Sequence, residues 1–373
     1  MLKQTVLTWL VLARAQHITV LLCGIGLAWM STASANPNGG DWREAVQGVK
    51  AIYAQGLTVQ ACVSQPVMAL SISTSAVKAP AALERETWCA KELRNPDNAP
   101  FVLHHQKRTK KVIVLFHGLS DSPFYLASIA NSLAMAGHNV VVGLLPGHGL
   151  RENALAVLHD DHLAQLWREH VRDVFTAAKA LGEEVVVGGF STGGALAIDY
   201  ALQYPTQVHS VVLFSAALSL PGNAETLTKV PFARYVAKWT ELDYATSGPN
   251  PYKYPTVSSY AATELMAIIR DIRAMLSHAQ RRNIPLFVSH SHADNVTPID
   301  GVIDLLGRVD GDHVFLEIEE AMQVCHADLP LNKTQIKHLG KQPPERYNVC
   351  GEPKTNPVHG HMLSMLNHFL TTR

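Results

Sequence analysis

Residues 184 to 197 read Glu-Val-Val-Val-Gly-Gly-Phe-Ser-Thr-Gly-Gly-Ala-Leu-Ala, and within them Gly189-Phe190-Ser191-Thr192-Gly193 sets two glycines symmetrically about a serine. A serine on a tight turn between a strand and a helix presents its hydroxyl as a nucleophile. Side chains two positions before and two after it would collide across such a turn. The three valines ahead of the motif supply the strand, and Ala195 and Ala197 supply a small-residue helix behind it. A helix beginning at the serine also aims its free N–H groups and positive dipole end at the bond under attack, which makes the Thr192 N–H a candidate oxyanion donor.

A second stretch, Phe287-Val-Ser-His-Ser-His-Ala-Asp-Asn-Val-Thr-Pro298, spaces two histidines and an aspartate as His-x-His-x-Asp. That spacing opens some zinc and iron sites, which need further ligands. The next position is Asn295 where a histidine would be required, and no histidine-rich partner motif follows. Ligand count therefore argues against a metal, and neither a metal nor an organic cofactor is expected. His290 and His292 are then expected to line a strand end, and Asp294 is left as a carboxylate available to orient a base.

The elements that must position these residues alternate from about Lys111 onward. Apolar β-branched runs at Val112–Phe116, Val140–Val142, Val185–Val187, Val211–Phe214, Leu286–Val288 and Val314–Ile318 predict strands covered on both faces. Helices are predicted near Pro123–Ala136, Asp161–Leu181, Thr192–Tyr204 and Ala261–Gln280. The last carries Leu265, Ile268, Ile269, Ile272 and Leu276 on one face. This is the pattern of a doubly wound, mostly parallel α/β sheet. Ser122 and Pro123 read as the N-cap and first residue of the helix after the first of these strands, and Leu119 falls where its N–H faces the serine. Residues 218–260, rich in Tyr, Trp, Gly and Pro without a clean strand, read as a small inserted cap or as a surface excursion held by aromatic packing. The region 36–100 reads as an N-terminal extension packed on a main domain over 101–373, adding a helix around Trp42–Gln55 and an edge strand or two.

With 47% hydrophobic and 17% charged residues, the 373-residue chain can bury a large core. Lys plus Arg balance Asp plus Glu at 31 each, so no overall field recruits nucleic acid. The basic run His104–Lys111 reads as a solvated turn, with transient contact to a membrane surface as its other use. Residues 1–35 read as a cleavable export signal: Lys3 and Arg14, then the apolar run Ile18–Met30, then Ala33-Ser-Ala35. An uncleaved anchor is the alternative, although a run of about 13 residues falls short of the ~20 that span a bilayer. Removing the signal leaves Cys62, Cys89, Cys325 and Cys350, and export with chain proximity favours Cys62 with Cys89 and Cys325 with Cys350.

Three motifs in order, His117-Gly-Leu-Ser-Asp-Ser-Pro123, Leu145-Pro-Gly-His-Gly149 and Gly189-Phe-Ser-Thr-Gly193, resemble the α/β-hydrolases of the monoacylglycerol lipase and carboxylesterase type. The resemblance runs from about Lys111 to the C-terminus. It implies an α/β-hydrolase fold and a serine esterase or lipase acting on a small-molecule or lipid ester. It also implies a catalytic triad of Ser191, Asp294 and His326, with backbone oxyanion donors at Leu119 and Thr192. His117 and His148 then become loop-holding residues. Asp300 is the weaker candidate acid. The base belongs in the loop after the last strand, where His326 lies, but a roughly 30-residue insertion before the terminal helix keeps His361 as an alternative base. An amidase, peptidase or thioesterase on the same triad, and a non-catalytic binding module, are the other functional readings.

Overall fold

The apolar runs pair into one eight-stranded sheet in a computed structural model that describes residues 41–60, 62, 80, 82–227, 233–241, 244–278, 281–340 and 351–373. The chain divides into two units, Met1–Pro37 and Asn38–Arg373, and the described residues all lie in the second. The expected export signal lies outside the described residues.

In chain order the N-terminal part holds α1 (Trp42–Ala54), β1 (Val59–Gln60), β2 (Glu84–Thr87), β3 (Cys89–Ala90), β4 (Phe101–His104) and β5 (Thr109–Phe116). The middle holds α2 (Ala127–Met135), β6 (Asn139–Gly143), α3 (Ala154–Leu158), α4 (Leu163–Ala178), β7 (Gly182–Phe190), α5 (Thr192–Gln203) and β8 (Ser210–Phe214). The rest holds α6 (Gly222–Leu227), α7 (Ala233–Thr240), α8 (Ser259–His278), β9 (Leu286–Ser291), α9 (Asp300–Arg308), β10 (His313–Ile318), α10 (Lys333–Leu339) and α11 (His359–Thr372).

The sheet order is β10-β9-β8-β7-β5-β6-β4-β2, parallel from β10 to β6 and antiparallel at β4 and β2. Successive side chains of a strand point to opposite faces, and β5 shows the consequence. Val112, Val114 and Phe116 enter a core shared with α1, α4, α5 and α8, whereas Ile113 and Leu115 enter a core shared with α2 and α11. Because the central strands are parallel, the loops leaving β5, β7, β9 and β10 emerge along one edge, where ligands bind in open α/β sheets.

The structure departs from the sequence reading in three places. A strand at Phe101–His104, absent from the expected set, joins the main sheet, between β6 and the edge strand β2 that the N-terminal extension was expected to supply. The basic run is only in part a solvated turn. Gln106, Lys107 and Arg108 are exposed, but His104 is buried in β4 and stacks on Trp42, and Lys111 is buried in β5 with Nζ 2.7 Å from Glu184 Oε2. The run hides a strand end and a strand start, which charge alone does not reveal. The cap region forms the helices α6 and α7, which its aromatic, Pro-rich composition did not announce.

Cys62 and Cys89 are bridged, with Cα atoms 5.0 Å apart. Cys325 is disulfide-bonded; Cys350, its expected partner, lies outside the described residues.

Candidate active site

Ser191 sits between β7 and α5 with φ +54° and ψ −116°, a backbone conformation that costs about 1–3 kcal/mol and persists only where neighbours enforce it. Here the Ser191 N–H donates to the Phe214 carbonyl at 3.1 Å, and the Ser191 carbonyl accepts from the Ala217 N–H at 3.0 Å. The glycines are sterically required. A Cβ on Gly193 would lie 1.9 Å from the Phe116 carbonyl oxygen, and one on Gly189 would lie 2.3 Å from the same atom. This close approach lets the Gly193 N–H donate to the His117 carbonyl at 3.1 Å, fastening the serine turn to the loop after β5.

His326 lies in a 3-10 turn beyond β10, with Nε2 2.9 Å from Ser191 Oγ and Nδ1 2.7 Å from Asp294 Oδ2. Its ring packs against Phe190 at a centroid distance of 4.8 Å. Asp294 follows β9 and is buried. The N–H groups of Val296 and Thr297 both donate to Oδ1 at 2.9 Å, and the Thr297 hydroxyl lies 2.9 Å from Oδ2. Burial by itself would raise the Asp294 pKa. The charge and hydrogen bond of His326, the nearby His290 and the Thr297 N–H outweigh that cost and hold the carboxyl at about 2. Asp294 is thus an anion facing the histidine.

The other candidates separate cleanly. His361 is exposed on the first turn of α11, while its neighbour His359 is buried with Nε2 3.1 Å from Ser128 Oγ. Asp300 opens α9 and is exposed. His290 is buried and turns inward, with Nε2 2.7 Å from the Thr297 carbonyl and 3.5 Å from Asp294 Oδ2. His292 turns outward to Glu317 Oε1 at 2.6 Å. The two therefore diverge, and among the described residues no group of three His, Cys, Asp or Glu side chains is placed to hold a metal ion.

His117 and His148 sit under the loops. His117 Nδ1 lies 2.8 Å from the Gly118 carbonyl and Nε2 accepts from the Leu145 N–H at 3.0 Å, so the ring is a neutral tautomer spanning two loops. Burial and the adjacent His148 hold its pKa well below the usual imidazole value. Burial likewise lowers His148 to about 4.

Ser191, His326, Leu119 and Thr192 line one cavity of about 240 Å³. Its walls are largely apolar, from Ala217, Leu220, Val257, Ala262, Leu265 and Val296, and two charged side chains, Asp121 and Lys253, share them. Three site residues escaped the sequence reading. Thr297 follows Asp294 in an Asp-x-x-Thr turn whose side-chain-to-backbone bonding is a recognisable signal. Asp121 lies within the His117–Pro123 motif, where its neighbours give it no role, and Lys253 carries no local signal.

Residues 107–323 match the family described as serine aminopeptidase, S33 (Hydrolase_4). Among curated proteins, the chain is 27% identical over 118 residues to a thermostable monoacylglycerol lipase of a Bacillus species, a match covering 31% of this chain and 44% of that protein. It is 29% identical over 105 residues to lipase 1 of Psychrobacter immobilis, covering 28% and 31%. The matched region thus spans less than half the length of either relative. Among solved structures, a soluble variant of the Saccharomyces cerevisiae monoglyceride lipase superposes with a TM-score of 0.54 at 12% identity, covering 81% of this chain and 97% of that one. The monoacylglycerol lipase of Paleococcus ferrophilus superposes at 0.50 and 16%, covering 78% and 98%. Family match, sheet order and the serine turn after β7 agree: the chain belongs to the Hydrolase_4 family and is an α/β-hydrolase.

Proposed function

We propose that this protein is an exported serine hydrolase that cleaves carboxylic esters through an acyl-enzyme. The observation that supports this most directly is the continuous set of contacts from Ser191 Oγ through His326 to Asp294, inside a cavity walled by apolar side chains. In the proposed sequence His326 Nε2 takes the Ser191 proton as Oγ attacks the ester carbonyl carbon. The backbone N–H groups of Leu119 and Thr192 hold the oxyanion, and the imidazolium returns its proton to the departing alcohol. Water then attacks the acyl-serine, giving up its proton to His326, and Ser191 is regenerated as the carboxylic acid leaves. Asp294, kept anionic by its hydrogen bonds, holds Nδ1–H and stabilises the imidazolium. Export rests on the leader-like first 35 residues and is supported by the Cys62–Cys89 bridge.

Labelling with a fluorophosphonate tests the assignment. Wild type and His361→Ala are expected to label, and Ser191→Ala and His326→Ala are expected not to. Labelling that survives Ser191→Ala removes the nucleophile, and loss with His361→Ala alone moves the base. The family description favours one rival, an aminopeptidase. Such an enzyme needs a carboxylate that receives the substrate amine, and the Asp121 carboxylate in this cavity already faces the Lys253 ammonium at 3.7 Å. An ester is therefore expected to turn over far faster than the amino-acid anilide of matched size.

A further inference from the structure

Tyr53 lies in the last turn of α1, in the N-terminal extension and outside the stretch 107–323 that matches the family. Its ring is buried against Trp88 and His170, at centroid distances of 6.1 and 5.3 Å, and its Oη accepts from the Leu144 N–H at 3.1 Å. A glycine admits that hydroxyl. A Cβ on Gly143 would lie 3.0 Å from Tyr53 Oη and 2.6 Å from the Phe116 ring, so the end of β6 is bare where α1 reaches in.

The next amide along the chain leads to the active site. The Leu145 N–H donates to His117 Nε2 at 3.0 Å, which leaves the proton of the neutral ring on Nδ1, and Nδ1–H donates to the Gly118 carbonyl at 2.8 Å. In a trans peptide the carbonyl and the N–H point opposite ways. Holding the Gly118 oxygen therefore aims the N–H of Leu119, the oxyanion donor of the proposed mechanism. The Asp121 N–H also donates to that oxygen, at 3.1 Å, but from within the same turn, whereas the His117 ring links the turn to the loop after β6.

Resting on the ester-hydrolase reading, we propose that Tyr53 is a positioning residue for the oxyanion hole, acting through the backbone of Leu144 and Leu145 and the His117 ring on the Gly118–Leu119 peptide. Removing the hydroxyl takes the acceptor from a buried amide, and the backbone of Leu144 shifts to find another. The shift moves the Leu145 N–H, loosens the His117 ring and lets the Leu119 N–H turn away from the developing oxyanion. The Asp121 N–H limits that turn, so the loss is on the order of tenfold rather than the ~10²–10³ of deleting a donor outright. It falls on kcat, because the oxyanion exists only in the tetrahedral species of acylation and deacylation and not in the bound ester.

Tyr53→Phe keeps the ring and removes the hydroxyl. With ethyl butyrate its kcat is expected to fall about tenfold and its KM to stay within about twofold. Pentyl trifluoromethyl ketone reads the oxyanion hole directly: Ser191 Oγ adds to its carbonyl carbon, the proton passes to His326, and the oxyanion stays in the hole. Its Ki is expected to rise by the same factor as kcat falls. Val49→Ala, on the buried face of the same helix, is the comparison; it should lower Tm at least as far and leave kcat and Ki in place. His117→Gln supplies a second arm, since adding Tyr53→Phe to it should cost nothing further if the hydroxyl acts through the ring. Fluorophosphonate labelling of Ser191 carried to completion verifies that each variant is folded. A Tyr53→Phe protein that loses Tm but keeps kcat and Ki overturns the proposal, as do equal kcat losses in Tyr53→Phe and Val49→Ala, or losses that multiply in the double variant. A wild type that neither hydrolyses the ester nor labels at Ser191 overturns the ester-hydrolase reading and this role with it.

Discussion

The floor of the cavity and the 218–260 segment, which gives Leu220, Lys253 and Val257 to its walls, are built to different standards. In the floor, Ser191, Asp294 and Thr297 are buried, and His326 is nearly so. Each is fixed by backbone partners or by the others. In the cap, α7 leaves Tyr235, Val236 and Trp239 exposed at 49%, 57% and 76%. It is tied down at a few points, among them Lys238 Nζ to the His159 carbonyl at 2.7 Å and Glu241 Oε2 to His159 Nε2 at 2.9 Å. Acyl transfer tolerates little error in the distance between nucleophile and base, whereas a wall that admits different substrates needs shape rather than fixed geometry. The comparison predicts that floor substitutions act on kcat and cap substitutions on KM.

The largest expected effect breaks the floor electrostatically while sparing its packing. Asp294→Asn keeps the side-chain shape but presents an amide to His326 Nδ1, which favours the wrong tautomer. A fall in kcat of about 10⁴-fold is expected, with KM nearly unchanged. Steady-state kinetics on one ester decides it. A KM effect with kcat preserved would remove Asp294 from the relay.

The second prediction concerns three buried histidines outside the triad. His148, His170 and His359 are each lowered to about 4 by burial. Their folded-state values lie below the ~6.5 of an unfolded chain, so the unfolded state takes up protons first as the solution is acidified. Stability from these groups is complete above pH 6.5 and is lost progressively as pH falls toward 4. Asp294, held near 2, keeps its contribution through that window and loses it only below about 4. The denaturation midpoint is therefore expected to drop between pH 7 and pH 5, and His148→Asn should shrink the drop. A midpoint that is flat across that interval would contradict it.

The difference between floor and cap also governs what was legible in the sequence. The serine turn was readable because its geometry excludes any Cβ at Gly189 and Gly193, and that exclusion is written in two residue identities. Asp294 and His326 were placed by chain order after strands, and the structure brings both into contact with the serine side. β4 was not readable, since four residues running into a basic stretch give too short a period, and burial of Lys111 depends on Glu184, far along the chain but on the neighbouring strand β7. The Asp121–Lys253 pair joins residues far apart in the chain, and a single lysine among tyrosines and prolines reveals nothing until the cap folds back. Long-range ionic pairing leaves no local pattern, whereas steric exclusion does.

The smallest predicted effect sharpens the comparison from the cap side. Glu241, just after α7, is shared among three elements. Oε2 accepts from His159 Nε2 at 2.9 Å and from the Ser258 hydroxyl at 2.7 Å, and Oε1 accepts from the Ser259 N–H at the start of α8. One carboxylate thus caps the helix that supplies Ala262 and Leu265 to the cavity wall, next to Val257. Glu241→Ala removes this cap, at about 1 kcal/mol, and leaves Lys238 Nζ on the His159 carbonyl to tie α7 to that loop. A fall of a few degrees in Tm is expected, together with a rise of a few fold in KM for bulky esters. kcat is expected to stay within about twofold, because no contact of the Ser191, His326 and Asp294 side chains passes through Glu241. A kcat loss approaching that of Asp294→Asn, at constant KM, would show that the cap fixes the floor, and the division between them would fail.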